Sequence, residues 1–507
     1  MEHPDLAQLA AVVAAAGAVL MLAGRGRLMV LGGLGLLGAA EAGLLASRSD
    51  TAALDRLTSA SGALLVVFGL LVMAAAAAVL VRRPAWLPVV MILAAPLRPP
   101  IAFESGGGFP LSVATGGQLG RLLPLYFVLA VAALALVWRA FERSQSAGAV
   151  RALPRVVALP AAAFSAFTCL SVVWADQLGP AVELMSYFTI PFVLLLAVLA
   201  RSPFPDTAPR AMAIAAVALG TVFAAIGLYQ AATRELFFYA PNLAVSNANS
   251  DFFRVTSLFG DPSLYGRHLV LAMTVLLVCL ALNRIDLRLG IGLLVVLWLG
   301  LFFSYSQSSM VALVCVTLFV AFVTGGPPVR RVVAGGLALV LVLGLGFLAS
   351  IEIRGDSLRR ETSDRSTRIT ETTRVVEDAP LIGVGTGGQA QASRRLSGKE
   401  KPTPNFVSHF TPLTVAAELG VIGLALYGWL LVGGARAILA VGRLDKGLGI
   451  ALGAALLALF AHSLFYPGFL EDPLTWVVLA VAAGQLTWTR RDDGVHRAAR
   501  EPAPAGA

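Results

Sequence analysis

Apolar runs of roughly 17–25 residues, the length of a membrane-crossing helix, recur from one end of the chain to the other. Helices and closed barrels are the only backbones that span a bilayer with their polar groups satisfied. The composition also suits lipid, because 58% of the 507 residues are hydrophobic and only 13% are charged, whereas soluble domains carry about 25% charged residues. We therefore expect an all-α, polytopic integral membrane protein with about 12–15 transmembrane helices.

The positions of these runs give the candidate spans. The first run begins near Leu6 and has no Lys or Arg ahead of it, so it lacks the basic start of a signal peptide and we expect it to be retained. The run at 84–97 is the shortest. The predicted spans are 7–24, 28–46, 59–81, 84–97, 122–138, 156–174, 184–200, 211–231, 263–283, 289–304, 308–325, 332–350, 410–434, 447–465 and 473–488.

Arginines in the short connections predict the orientation of the chain. Basic pairs such as Arg82 and Arg83, or Arg330 and Arg331, follow every second span. Basic connections stay in the cytoplasm, so we expect the N-terminus outside and the C-terminus inside. These arginines account for much of the net charge of +9, and nothing indicates a nucleic-acid partner.

The long connections all fall on the outer side, at 98–121, 232–262 and 351–408. Connections of this length in a compact protein are usually functional or disordered. The predicted organisation is accessory spans at 1–100, a transmembrane core at 101–350, a large outer loop at 351–408 with an amphipathic helix at about 366–378, C-terminal helices at 409–489 and a disordered cytoplasmic tail at 490–507.

Motifs for nucleotides and metals are missing from the sequence. It contains no Walker, Rossmann or HExxH pattern, and its three cysteines (Cys169, Cys279 and Cys315) all lie inside apolar runs. No spacing of Cys and His suggests a metal site or a disulfide framework. We expect the cysteines to be packing residues, and we expect neither a metal nor another cofactor.

The segment SHFTPLTVAAELGVIG at 408–423 enters a membrane span with a histidine at its mouth. At 100° per residue, His409, Ala416, Gly420 and Gly423 fall within about 40° of one line on a continuous helix. Small residues on one face let another helix approach closely in lipid. This predicts a groove that His409 closes on the outer side.

The position of His409 also suits catalysis. We expect the helix to be capped by Ser408, or by Thr411 with Pro412 in the first turn. The dipole at a helix N-terminus disfavours imidazolium, and a neutral imidazole is what a general base requires. The alternative is an interfacial histidine that bonds lipid headgroups or loop backbone.

Several arginines are predicted on the same outer surface. Arg254 precedes a helix start at Asp261-Pro262, and the long loop contributes Arg365, Arg368 and Arg374. One guanidinium group can bind two phosphate oxygens at once. The alternative for each single arginine is a solvated charge in a loop or a contact with a lipid headgroup. Together with His409 they suit a substrate with a polar reacting end, a diphosphate and a lipid tail.

These segments resemble a known family, that of O-antigen ligases with the related polymerases and O-oligosaccharyltransferases. The likeness covers roughly 160–490 and begins with His409-Phe410, nine residues, then Gly420-x-x-Gly423. Arg254-x3-Leu258, Phe259-x-x-Pro262 and the arginine-led helix that runs into Pro380-x-x-Gly383-x-Gly385 are similar to further family elements. The chain differs from the family pattern at Phe410, Ser263 and Gln307.

The resemblance implies a membrane glycosyltransferase of the C-type fold in the cytoplasmic membrane of a bacterium. The implied donor is a polyprenyl-diphosphate-linked glycan, and the acceptor is a hydroxyl of a glycan, lipid or protein on the outer face. His409 would be the base, and Arg254 with Arg365 or Arg368 would bind the diphosphate. Gln307 and Arg267 are further candidates for substrate contact. The implied assembly is a monomer or small homo-oligomer.

Two other functions stay open at this point. A lipid-linked glycan flippase or transporter would be expected to show inverted repeats and charged or broken helices at the midplane. A cell-wall polymerase of the shape-and-division family would depend on an outer carboxylate, for which Asp261 and Glu371 are the candidates. A cavity that collects His409, Arg254 and the loop arginines would favour the glycosyltransferase.

Overall fold

The protein is almost entirely helical in a computed structural model that describes residues 3–48, 60–99, 101–103, 111–113, 121–142, 150–238, 241–354, 365–398 and 408–498. The one sheet in these ranges is a small antiparallel hairpin of β1 (Ile101–Phe103) and β2 (Leu111–Val113). The predicted all-α class is confirmed.

The helices follow the apolar runs, with short polar or glycine-containing turns between them. Their bounds are α1 Pro4–Ala23, α2 Arg27–Arg48, α3 Ala60–Arg82, α4 Trp86–Ala94, α5 Leu123–Phe141, α6 Arg155–Leu170, α7 Leu178–Leu184, α8 Ile190–Arg201, α9 Ala208–Thr233, α10 Pro241–Ala248, α11 Pro262–Ala281, α12 Leu287–Ser304, α13 Gln307–Thr324, α14 Pro327–Arg354, α15 Arg365–Asp378, α16 Gln389–Ser397, α17 Thr411–Leu444, α18 Lys446–Ser463 and α19 Pro473–Ala498. A 3₁₀ turn, Ser171–Trp174, extends α6, and a π-helical turn, Met185–Thr189, joins α7 to α8.

The chain is a multi-pass membrane protein. Within the described residues, 12 helices are long and apolar enough to cross a bilayer. The predicted span at 84–97 is wrong, because α4 contains only 9 residues. At about 1.5 Å per residue, α4 covers less than half of the ~30 Å hydrocarbon core.

Two apolar clusters form the interior. The first joins α1, α2, α5, α6, α8, α17 and α19, and the second joins α9, α11, α12 and α13. Helix α18 contributes to both clusters, and the segment 464–472 connects α18 to α19. Because α1 packs against α6 and α8, the predicted accessory spans share the main core.

The predicted tail at 490–507 is partly helical, which corrects the expectation of disorder for its first half. Helix α19 continues to Ala498, and residues 499–507 lie outside the described residues. A helix, α15, lies where the helix at about 366–378 was predicted, and a second helix, α16, follows it.

The long helix α17 is broken at Gly420, so the predicted continuous groove is wrong. Gly420 has φ 65° and ψ −167°, which no helix contains. Backbone from the outer loop fills the break: Val421 N donates to Pro380 O at 2.9 Å, and Gly385 N donates to Glu418 O at 2.9 Å. Gly420 therefore packs against the outer loop, where sequence periodicity had placed a neighbouring helix.

Three glycines make this junction possible. Gly383, Gly385 and Gly420 all have positive φ, a region that L side chains rarely adopt. A Cβ on Gly420 would overlap the Leu381 carbonyl, and a Cβ on Gly383 would overlap the Glu418 carbonyl. The two glycine motifs identified in the sequence thus interlock, and this contact fixes the end of α15 against α17.

Candidate active site

His409 lies two residues before α17 and is half-buried. The N-cap of α17 is Phe410, which makes no side-chain cap bond. The predicted caps are therefore wrong. Ser408 instead accepts from Phe410 N at 3.2 Å and donates its own N–H to Gln389 Oε1 at 3.2 Å. These bonds tie the histidine segment to α16.

Arg368 contacts His409 directly. Its Nη1 donates to His409 Nε2, and because a guanidinium only donates, Nε2 must carry a lone pair. The imidazole is consequently neutral with its proton on Nδ1. Helix α15 is held in place to make this contact, since Val375 is fully buried against Val384 and Ala417.

Tyr466 packs against the other side of His409. The two ring centroids lie 6.3 Å apart with the rings 29° from parallel. Burial, with the charge of the Asp261 carboxylate, raises the pKa of the Tyr466 phenol. Asp261 also caps α11, accepting from Ser263 N at 2.6 Å. The predicted helix start at Asp261-Pro262 is therefore confirmed.

Arg254 approaches the same group of residues from the loop before α11. Its Nε donates to Ser304 O at 3.3 Å, and Asn247 bonds its backbone on both sides. Burial lowers the pKa of Arg254, and Asp261 opposes this change. The structure thus brings Arg368 directly to His409, whereas Arg254 interacts through charge with Asp261.

Arg267 lines the larger cavity described below, and its substrate contact stays a prediction. Arg267 is 4% exposed, and each of its nitrogens bonds the protein. Nε donates to His462 Nδ1 at 3.2 Å, Nη1 to Asp472 Oδ2 at 2.6 Å and Nη2 to Pro467 O at 3.2 Å. Arg267 therefore anchors the segment 464–472 that carries Tyr466.

The structure gives positions for the remaining predicted residues, but their functional roles stay predictions. Gln307 is exposed at the first residue of α13. Arg365 begins α15, and its side chain lies outside the described residues. Pro380 accepts a backbone bond at the α17 break, and Gly423 is buried just beyond it.

A buried histidine network was missed by sequence reasoning. His462 is fully buried, with Nε2 3.1 Å from Ser308 Oγ and 3.2 Å from Ser263 O. It lies inside the apolar run 447–465, and its partners are distant in sequence. The sequence did offer one indication, because His462 is an ionisable residue inside a predicted membrane helix. Such residues are rare and usually pair with another group inside the protein.

Two adjoining cavities border the segment 464–472, and Tyr466 lines the larger one. The larger, about 250 Å³, is lined by both apolar and polar residues, the polar ones being Arg98, Arg267, His268, Tyr466, Glu471 and Asp472. The smaller, about 80 Å³, is rich in hydroxyl groups and includes Glu418. They share Gly468 and Glu471, and burial raises the pKa of Glu471. Among the described residues, no three His, Cys, Asp or Glu side chains are grouped to hold a metal ion.

Comparison with known proteins bears on this arrangement. The family model for O-antigen ligase matches residues 292–428. The predicted family is confirmed over this segment. The O-antigen ligase match includes Arg368, His409 and the interlocked glycines, whereas Arg98, Arg254 and Tyr466 lie outside it. No curated protein matches the chain.

Proposed function

We propose that this protein transfers a glycan from a polyprenyl-diphosphate carrier to an acceptor hydroxyl at the outer face of a bacterial cytoplasmic membrane. The observation that carries the proposal is the contact between Arg368 and His409, inside the segment that matches O-antigen ligase. The arginine pattern of the connections supports an outer location for both residues.

His409 is the general base in this proposal. In the free protein Arg368 donates to Nε2 and keeps the imidazole neutral. A diphosphate offers the guanidinium a charged acceptor, and such hydrogen bonds are about twice as strong as neutral ones. When the donor enters, Arg368 turns to the phosphate oxygens, and Nε2 is free to accept the proton of the acceptor hydroxyl.

The transfer step exchanges one C–O bond for another. The acceptor oxygen bonds to the anomeric carbon of the glycan as the bond from that carbon to the diphosphate oxygen breaks. The acceptor proton ends on His409 Nε2, and the electron pair leaves with the polyprenyl diphosphate. Arg368 and Arg254 stabilise the negative charge that grows on this leaving group.

The proposal is tested with purified protein and a defined polyprenyl-diphosphate glycan. His409→Ala should abolish transfer while the protein inserts and accumulates normally. The matched control is His3→Ala, because His3 is exposed at the start of α1, far along the chain from the site. Transfer by His409→Ala at a rate near that of the parent would rule out the base.

A deletion strain distinguishes the two reactions that share this chemistry. Accumulated lipid-linked polymer indicates a ligase, since the finished chain then has no route to its acceptor. Accumulated single repeat units indicate a polymerase. A normal glycolipid profile would contradict both.

A further inference from the structure

The larger cavity contains a cation that the proposed transfer does not use. Arg98 follows α4 and is half-buried, and its guanidinium lines the cavity of about 250 Å³ that also borders Tyr466. Helix α4 has only 9 residues, and Arg98 lies just past its end, on the same cavity as Arg267 in the second turn of α11.

Arg98 differs from its neighbour in how it is bonded. Arg267, on the same cavity, donates to four acceptors. No described residue forms a hydrogen bond with the Arg98 guanidinium. A partly desolvated charge without a hydrogen-bonded partner costs free energy, and a bound anion would offset this cost.

The charges around Arg98 leave the cavity positive. Asp472 is paired with Arg267 at 2.6 Å. Burial raises the pKa of Glu471, which favours its neutral form. Asp472 also stabilises the Arg98 charge but is already paired with Arg267, so the cavity keeps excess positive charge and is suited to an anion.

The size of the cavity limits what binds there. Sites that enclose a whole small molecule usually measure about 300–1,000 Å³, so a cavity of about 250 Å³ suits one group of a larger substrate. We propose that Arg98 binds an oxyanion of the lipid-linked glycan in this cavity, one ring away from His409. This inference rests on the proposed function. The oxyanion belongs either to the diphosphate of the carrier or to the carboxylate of an acidic sugar.

Binding to two simple probes separates these sources. Farnesyl diphosphate represents the carrier, and glucuronate represents an acidic sugar. The affinity of detergent-solubilised protein for each is measured in the parent, Arg98→Ala, Arg98→Lys and Arg121→Ala. Arg121 is the control, because it lies on the same side, pairs with Glu183 at 2.6 Å and does not line the cavity.

We expect Arg98→Ala to lower the affinity for one probe by about tenfold to a hundredfold, the effect of one charge-assisted hydrogen bond. Arg98→Lys should lower this affinity less, and Arg121→Ala should bind both probes as the parent does. Lower affinity for farnesyl diphosphate assigns the site to the carrier, and lower affinity for glucuronate alone assigns it to the glycan. Unchanged affinity for both probes would overturn the inference.

Thermal unfolding distinguishes binding from structure. Removing an unpartnered guanidinium leaves no buried group unpaired, so Arg98→Ala should be at least as heat-stable as the parent. A marked loss of stability in Arg98→Ala would show that the residue is structural and would overturn the inference.

Arg254→Ala separates this test from the proposed function. If Arg254→Ala binds farnesyl diphosphate normally while Arg98→Ala does not, the proposed diphosphate site is wrong and the Arg98 site stands.

Discussion

At the scale of single residues, two arginines reach the His409 group in different ways. Arg368 contacts the imidazole itself, whereas Arg254 is held by Ser304 and Asn247 at the edge of the group. An arginine fixed by its own backbone and by a carbonyl has little rotamer freedom left to lose on binding. Arg254 is therefore the better preorganised of the two, and Arg368 is the one that must move.

Arg254→Lys should be far more damaging than its conserved charge suggests. Lysine loses the planar fork that grips two phosphate oxygens, so turnover should fall by about 10²–10³ with a smaller effect on donor binding. Steady-state kinetics with a defined donor measure both. Arg234→Lys is the control, because Arg234 is an exposed arginine of the same outer loop. Turnover of Arg254→Lys within a few-fold of the parent would contradict the assignment.

Glu471→Gln should make stability less dependent on pH. The folded-state pKa of Glu471 is raised by burial, above the unfolded value of about 4.3. The contribution of Glu471 to the free energy of unfolding is fully present below the unfolded pKa and is lost as pH rises through the folded pKa. Glutamine stays neutral, so the melting temperature of Glu471→Gln should exceed that of the parent by a margin that widens with pH. An equal pH dependence in the two proteins would show that Glu471 ionises freely.

Some residues of the site were predictable and others were not. His409, Arg254 and Arg368 stand in local patterns whose chemistry is visible in sequence. Arg98 and Tyr466 stand in no pattern, because they join the site only when α4 ends early and the segment 464–472 folds back. Sequence periodicity carries no information on either event.

At the scale of elements, the interlocked glycines decide where α15 ends. The break at Gly420 leaves N–H and C=O groups of α17 without partners in the helix, and the backbone at 380–385 forms hydrogen bonds with them. Hydrophobic periodicity predicted one continuous helix here, because a positive φ does not alter the pattern of apolar residues. The glycine spacing was visible in the sequence, but its meaning depended on a second glycine motif more than thirty residues earlier.

Gly420→Leu should damage folding. It places a side chain at positive φ and against the Leu381 carbonyl, and each of these effects costs about 1–3 kcal/mol. The measurement is thermal unfolding in detergent. Gly428→Leu is the matched control on the same helix, because a Cβ there meets nothing within 4 Å. Equal melting temperatures for the two variants would show that the junction does not depend on Gly420.

At the scale of the whole molecule, apolar length predicted the number of spans well and their exact ends poorly. The 12 helices that qualify among the described residues agree with the predicted range. The failure at 84–97 came from counting apolar residues through Pro96, beyond the last helical turn of α4. Proline two residues past a helix end is common, so Pro96 could have indicated the end of α4 from the sequence alone.

The predicted orientation is tested by labelling single cysteines in intact cells. Cys169, Cys279 and Cys315 are first replaced by alanine, and one cysteine is then placed at Ala507. A membrane-impermeant maleimide should label Ala507→Cys only after the membrane is permeabilised, because the basic connections remain inside. Labelling of Ala507→Cys in intact cells would contradict the proposed outer site.

The connection at 464–472 has a consequence for when activity appears during synthesis. Ribosomes make Arg98, Arg254, Arg368 and His409 before they reach Tyr466, and Tyr466 is anchored through Asp472, next to the start of α19. A nascent chain whose last helix is still in the translocon therefore holds the base and its arginines without their supporting ring. Under the proposed function, we therefore expect a copy whose last helix is not yet inserted to be inactive on lipid-linked glycan.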